Sequence, residues 1–215
     1  MKKVIVIVQF ICFANFVPAQ QNNQIDSLKQ ALLSSKDDLQ RIVILDNLSS
    51  EYLWSMPDTS LIYAQQELLL AKKINSPKWE ARALQRYGGS LYVMGNYSLA
   101  LDYSLQSLRF NEKQEDTARL INNYFGLSSI YNDIGDNDHA LYYSYKGARV
   151  SELFNNKIRL SEALMIIGHN YEQANQLDSA LAFTQRAYEL DSTDNGKLTL
   201  GYTPYVLGNI YYKKG

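Results

Sequence analysis

Histidine and cysteine, the side chains that most often bind metals or act as nucleophiles, are scarce in this 215-residue chain. His139 and His169 are its two histidines, and Cys12 is its single cysteine. A structural zinc site takes four ligands from cysteine, histidine or carboxylate side chains, which two distant histidines do not supply. We therefore expect no metal site. His139 is interpreted as a residue of a capping turn, and His169 as a residue of a groove.

Three short segments resemble chemical motifs, but each lacks a defining residue. The segment 191–196 has the aspartates and glycine of a calcium loop, yet Tyr202 stands where the bidentate acid belongs. Gly196-Lys197 has no upstream glycine of a phosphate-binding loop. Gly88-Gly89-Ser90 is not followed by the second glycine of a nucleophile elbow, because Tyr92 occupies that place. We interpret 191–196 as a polar turn and predict neither a cofactor nor a catalytic site.

The composition predicts a globular chain with a substantial core. Hydrophobic residues make up 46% of the sequence and charged residues 20%, which is typical of folded domains. The 21 basic and 22 acidic residues give a net charge of -1, which argues against a nucleic-acid partner. A single cysteine excludes a disulfide scaffold and an iron–sulfur cluster.

The N-terminus has the pattern of a secretory signal peptide. Met1-Lys2-Lys3 is basic, the segment 4–17 is mostly apolar, and Val17-Pro18-Ala19 offers small residues at the cleavage positions. We predict that residues 1–19 are removed and that the chain is exported, to the periplasm or the extracytoplasmic face of a bacterial envelope. A retained N-terminal anchor is the alternative.

The remaining sequence repeats with a period of 40 residues. Four similar five-residue segments begin at this step, namely 87–91, 127–131, 167–171 and 207–211. Ala100, Ala140 and Ala180 keep the same step. A repeated period of this length indicates a solenoid of stacked units. We assign 20–37 to a polar leader and capping helix, and the solenoid to the units 38–76, 77–116, 117–156, 157–196 and an incomplete 197–215.

The hydrophobic spacing within each unit predicts two helices joined by a short turn. The expected fold is all-α, a right-handed α-solenoid of antiparallel helix pairs with about four and a half repeats. Small residues such as Gly168 on the first helix should face Ala180 on the second and allow close approach. The helices are predicted at 24–33, 38–55, 58–73, 78–94, 96–112, 117–134, 137–154, 158–174, 177–191 and 197–214.

The pattern resembles the tetratricopeptide-repeat (TPR) family. A small residue is followed after three positions by Tyr or Leu and after twelve by Ala, with Gly168, Tyr171 and Ala180 as the clearest example. The period of 40 departs from the usual 34, and HEAT-like repeats are the second choice. More narrowly, the chain resembles the N-terminal extracytoplasmic repeats of bacterial sensor histidine kinases and related regulators.

The resemblance implies that residues beside the core stripe of the first helices point into a concave groove. Amide and aromatic side chains suit an extended peptide or a helix of another protein. The expected groove residues do not match the Lys/Asn clamp that holds a C-terminal carboxylate in some family members. The expected partner-binding residues are Arg82, Gln85, Tyr92, Asn122, Phe125, Asn132, Asp133, Glu162, Met165, His169, Glu172, Tyr202, Tyr205, Asn209 and Tyr212.

The sequence is compatible with three functions. The first is an exported interaction scaffold that forms the sensing region of a larger membrane signalling protein. The second is a free-standing periplasmic or secreted adaptor that assembles an envelope complex. An enzyme ranks third. Because the last unit has only its first helix, we also expect the gene to continue past Gly215 with a second helix, and later with a membrane span and an output domain. Membrane contact would come through that downstream segment alone.

Overall fold

The computed structural model describes residues 23–193 and 203–214, which form helices joined by turns and contain no strand. The expected all-α class is thereby confirmed. The chain divides into two compact units, Met1–Met94 and Gly95–Gly215.

The first unit contains four described helices. α1 spans residues 23–34, close to the predicted capping helix. Ile25 of α1 packs with Leu48 and Tyr52 of α2, and Leu28 and Leu32 of α1 border the same cluster. The apolar face of α1 therefore packs against α2. The remaining helices of this unit are α2 (Asp38–Tyr52), α3 (Pro57–Lys73) and α4 (Pro77–Val93).

The second unit contains six described helices, which alternate as second and first helices of successive repeats. They are α5 (Tyr97–Gln114), α6 (Thr117–Asp133), α7 (Asn137–Leu153), α8 (Lys157–Gln173), α9 (Leu177–Thr193) and α10 (Thr203–Lys214). Aspartate or asparagine caps three of them. Asp116 accepts a hydrogen bond from the backbone of Arg119, and Asp136 accepts one from His139. Such caps satisfy amides that would otherwise lack partners at the start of a helix.

Residues in the left-handed conformation end the helices at intervals of 20 along the chain. Gly95 and Gly135 have φ of +77° and +82°, as expected of glycines at a turn. The non-glycine residues Asn75, Glu115, Asn155 and Asn175 have φ between +50° and +57°. The 40-residue repeat is thus built from two helix–turn halves of equal length, and within residues 23–193 the turns between helices are only two to four residues long.

The two helices of a repeat run antiparallel and approach closely at the predicted positions. The Ser128 hydroxyl donates to the carbonyl oxygen of Ala140 at 2.9 Å. A Cβ at Gly168 would lie 3.2 Å from the carbonyl oxygen of Ala180 and would overlap the Thr184 side chain. The close contact of small residues expected from the repeat is therefore confirmed in both repeats.

Several element boundaries differ from the prediction. α5 was expected to end at residue 112 but continues to Gln114. α9 continues to Thr193, so the start of the expected polar turn at 191–196 is also helical. Asn96 stands at the N-cap of α5 but makes no side-chain capping bond. The last helix was expected from residue 197, and residues 194–202 lie outside the described part of the chain.

Buried polar side chains join successive repeats in the second unit. Asn111 of α5 donates to Asn123 of α6, and Asn123 donates to Ser107. At the equivalent positions two repeats later, the Asp191 carboxylate of α9 accepts a hydrogen bond from the Thr203 hydroxyl of α10 at 3.3 Å. Because buried polar groups are costly when left unpaired, these contacts favour one register of the packed helices.

Candidate partner-binding surface

Apart from Tyr202, which lies outside the described residues, the expected groove residues lie on the first helices of the repeats, from α4 onward. We call the surface made by these helices the first-helix face: in the first unit it comprises α2 and α4, and in the second unit α6, α8 and α10. Neighbouring helices of each set contact one another directly. The side chains on this face are therefore held by both their own helix and the next one.

In the first unit, the first-helix face centres on a buried carboxylate between two arginines. Asp46 is 2% exposed. Its Oδ1 accepts from Nε of Arg86 at 2.7 Å, and its Oδ2 accepts from Nη2 of Arg82. Trp79 lies under the Arg82 guanidinium, 5.7 Å from the ring centroid. Gln85 and Tyr92, the other two residues expected here, are half-buried on the same helix.

Asp46 remains charged because its two arginine partners outweigh the effect of burial. Burial alone would raise the pKa of Asp46, but the hydrogen bond from Arg82 and the charge of Arg86 lower it below its usual value. The sequence had indicated Arg82 alone as a basic residue of the groove. Asp46 and Arg86 were missed, although opposite charges exactly one repeat apart were a usable signal.

In the second unit, a buried acid on α8 contacts basic groups on two helices. Glu172 is 6% exposed. Its Oε1 lies 2.9 Å from Nζ of Lys213, and its Oε2 lies 3.5 Å from Nδ1 of His169. In the first turns of α8, Arg159 pairs with Glu162 at 2.7 Å. Of these, Lys213 was not expected, and it links α10 to α8 across the face.

Other expected residues contribute to packing as well as to the surface. The Phe125 ring lies against Gly147 of α7 and borders the cluster around Ile167. Met165 on α8 accepts a weak hydrogen bond from the Thr203 hydroxyl at 3.9 Å. Oδ1 of Asn132 is buried and accepts no hydrogen bond from the described residues. The Phe125 and Met165 side chains are thus partly fixed before any partner binds, whereas the Asn132 oxygen still has room for a donor.

The remaining expected residues range from half-buried to fully exposed. Tyr205 and Tyr212 on α10 are 62% and 89% exposed. Asp133 is exposed, whereas Asn122 and Asn209 are half-buried. Tyr202 lies outside the described residues. The face in this unit consequently mixes aromatic rings, amides and paired charges.

The two histidines have separate surroundings. His139 stacks on Tyr131 with 4.8 Å between ring centroids, and its Nδ1 lies 2.7 Å from Oδ2 of Asp136. The backbone amide and ring of His139 both lower the pKa of Asp136. His139 is therefore a capping-turn residue as expected, and His169 lies on the first-helix face. Among residues 23–193 and 203–214, no group of three or more acidic, histidine or cysteine side chains could hold a metal.

None of the helices in the described part of the chain combines the length and apolar character needed to cross a bilayer.

A family model decides the classification of this repeat. The model described as the SusR N-terminal TPR domain matches residues 15–215. The chain belongs to this TPR family. The TPR resemblance seen in the sequence is thereby confirmed, while the narrower resemblance to sensor kinases stays a prediction. A search of curated proteins gives no match to this SusR-type TPR chain.

Solved structures similar to this TPR domain show the fold at low sequence identity. A Rap protein complexed with Competence and Sporulation Factor has a TM-score of 0.75 at 18% identity, over 93% of this chain and 60% of its own. A kinesin light chain with nearly identical TPR-like repeats from Podosopora anserina has a TM-score of 0.66 at 11% identity, over 83% of this chain and 90% of its own.

A third similar structure is a signal transduction ATPase with numerous domains and a tetratricopeptide repeat sensor, from Pyrococcus horikoshii. Its TM-score is 0.70 at 17% identity, over 84% of this TPR chain. This chain spans only 28% of that protein, so the likeness concerns the repeats alone. Together with the family match, these structures show that the chain has the TPR fold.

Proposed function

We propose that this TPR domain is the exported sensing region of a larger membrane signalling protein, such as a sensor histidine kinase, and that its first-helix face binds a protein or an extended peptide. The observation that carries this proposal is the match of residues 15–215 to a domain described as N-terminal. A repeat domain in that position is suited to receive a signal for a region that follows it.

The structural neighbours support both parts of the proposal. One is a Rap protein in complex with Competence and Sporulation Factor, and another carries a TPR sensor within a signal transduction ATPase. The first-helix face of the second unit supplies exposed aromatic rings such as Tyr205, together with the amides of Asn122 and Asn209. Aromatic side chains dominate the energetics of protein interfaces, and amides bond the backbone of an extended peptide.

Export is proposed from the basic and apolar leader at residues 1–19. N-terminal sequencing of the protein from an envelope or periplasmic fraction tests it. A mature chain that begins at Gln20 supports export. A cytoplasmic protein that retains Met1 contradicts it.

Binding at the first-helix face is tested by photocrosslinking at matched tyrosine positions. A photoreactive phenylalanine analogue replaces Tyr205 on the first helix α10 or Tyr142 on the second helix α7, which are 62% and 51% exposed. We expect a crosslinked partner at position 205 and much less at 142. Equal yields at both positions, or a product at 142 alone, would reject this face as the binding surface.

The sensing role is tested by the reading frame that follows Gly215. A membrane span with an output domain supports a sensing region of a larger protein. A stop codon after one further helix contradicts it and favours a free adaptor.

A further inference from the structure

Two buried carboxylates on the first-helix face differ in how their oxygens are paired. In the first unit, each oxygen of Asp46 accepts from a different arginine. In the second unit, Oε1 of Glu172 lies 2.9 Å from Nζ of Lys213. Its Oε2 lies 3.5 Å from Nδ1 of His169, which is longer than a normal hydrogen bond. The second oxygen of Glu172 is therefore paired more weakly than either oxygen of Asp46.

A second acceptor without a donor belongs to the neighbouring first helix. Asn132 of α6 stands one repeat before Glu172 of α8, and the two helices contact each other. The Asn132 oxygen is buried and accepts no hydrogen bond from the described part of the chain. Buried polar groups without partners are rare because they are costly, so this oxygen points to a donor that a bound partner supplies. Equivalent positions on packed neighbouring helices are adjacent, which places the two acceptors side by side along the face.

Both acceptors lie in the last turns of their helices, where the backbone favours a cation. α6 ends at Asp133 and α8 at Gln173, and neither helix has a basic residue in its last turn. The carbonyl groups at a helix C-terminus carry a partial negative charge, which a basic side chain offsets. α10, by contrast, carries Lys213 and Lys214 in its last turn. The exposed carboxylate of Asp133 adds to the negative potential at the end of α6.

The side chains beside Glu172 can move aside for an incoming group. Those of Lys213 and His169 are 44% and 34% exposed, whereas that of Glu172 is 6% exposed. Asn132 is half-buried, so rotation of its amide presents the oxygen to the same group. A guanidinium forms short, charge-assisted bonds to a carboxylate and therefore competes well with an imidazole 3.5 Å away.

Resting on the proposed function, we propose that the partner peptide inserts an arginine side chain between the last turns of α6 and α8, where Glu172 and Asn132 accept its guanidinium. Packed helices lie about 8–10 Å apart, a gap that a planar group with donors on two edges can bridge. The carboxylate binds the arginine through Oε2 and keeps Lys213 on Oε1, which reproduces the double pairing of Asp46. The second unit thereby selects segments that carry arginine.

The test uses a display library of random short segments with linkers at both ends, and the mature chain is the bait. We expect enrichment of arginine. The most enriched peptide is synthesised with capped ends, and its affinity is measured by calorimetry. Replacing its arginine with citrulline, which keeps the shape and removes the charge, should weaken binding about tenfold, the loss typical of one charge-assisted hydrogen bond. Lysine should also bind several-fold more weakly, because an ammonium lacks the planar fork of donors.

Three variants separate a binding role of Glu172 from a structural one. Glu172→Gln should weaken the arginine peptide about tenfold. Asn132→Ala should weaken it several-fold, because it removes the second acceptor. Lys213→Gln should strengthen it several-fold, because it removes a competing cation from the same carboxylate. If Glu172 only anchors α10 through Lys213, then Glu172→Gln and Lys213→Gln should both weaken binding.

Glu152→Gln is the matched control. Glu152 on α7 is also an acid in an ion pair, 3.3 Å from Arg186 of α9, but both residues belong to second helices. The affinity of the arginine peptide should be unchanged by this variant. Circular dichroism checks that each variant keeps the helix content of the wild type. If Glu172→Gln fails to fold, Lys213→Gln and the citrulline peptide decide the question.

The outcomes distinguish this inference from the proposed function. Bound peptides without arginine enrichment, or equal affinity of wild type and folded Glu172→Gln, would overturn the arginine site and leave the peptide-binding face intact. Equal affinity for the arginine and lysine peptides would overturn the bridging of two acceptors by one guanidinium. Recovery of no peptide would count against the proposed function, and the arginine site with it.

Discussion

Gly168 of α8 faces Thr184 of α9 so closely that a Cβ on the glycine would overlap the threonine hydroxyl and lie 3.3 Å from its backbone nitrogen. The threonine hydroxyl is itself bonded to the carbonyl oxygen of Ala180 at 2.8 Å. The helix backbones consequently meet at a point that admits no further atom. The spacing of a small residue and an alanine twelve positions later in the sequence encodes this contact.

Substitution of Gly168 by alanine should destabilise the domain. The added methyl group meets backbone as well as side chain, and overpacking of this kind costs about 1–3 kcal/mol. Gly126, in the middle of α6, is the matched control, because a Cβ there would meet nothing within 4 Å. Gly126→Ala should stabilise the helix by about 0.5–1 kcal/mol. Denaturant midpoints that shift in the same direction for both variants would contradict the packing described.

The buried pair of Asn111 and Asn123 gives a second stability prediction. Asn123→Ala should cost about 1–3 kcal/mol, because it leaves the buried amide of Asn111 without its acceptor. In the first unit, the corresponding positions are Ala71 and Ala83, both fully buried. The double variant Asn111→Ala/Asn123→Ala should therefore cost less than the sum of the single variants. Strictly additive losses in urea unfolding would show that the two amides do not interact.

The Asp46 cluster predicts a pH dependence of stability. Because the folded pKa of Asp46 lies below its usual value of 3.8, its stabilising effect is complete above that value. The effect should be lost as the pH falls through the lower folded pKa. The difference in unfolding free energy between wild type and Asp46→Asn should accordingly be constant from pH 7 to about 5 and shrink towards pH 2. A difference that grows on acidification would have the wrong sign for this pairing.

The repeat and its helices could be predicted from sequence because one spacing of residues recurs and corresponds each time to the same backbone geometry. Gly135 is required by a left-handed turn, and Gly168 is required by the close approach of two helices. The left-handed residues Asn155 and Glu115 were harder to find, because neither side chain is restricted to turns. In particular, nothing local to Glu115 shows that α5 ends there rather than at residue 112.

The candidate surface was less predictable, because the direction of a side chain depends on the residues of the neighbouring helix that pack against it. Phe125 was expected in the groove, and its ring borders the core because Gly147 on α7 leaves room for it. Arg86 lies one residue beyond the expected stripe, and only the position of Asp46 on the neighbouring first helix brings it to the face. Contacts between successive repeats therefore determine the surface, and a single repeat read alone does not reveal them.

The most direct test of the central claim is hydrogen–deuterium exchange of the mature chain with and without the partner captured by photocrosslinking. If the first-helix face binds, partner-dependent protection should concentrate in first helices, which are α2 and α4 in the first unit and α6, α8 and α10 in the second. The second helices α3, α5, α7 and α9 should change little. Protection confined to the second helices, with the first helices unchanged, would contradict the account.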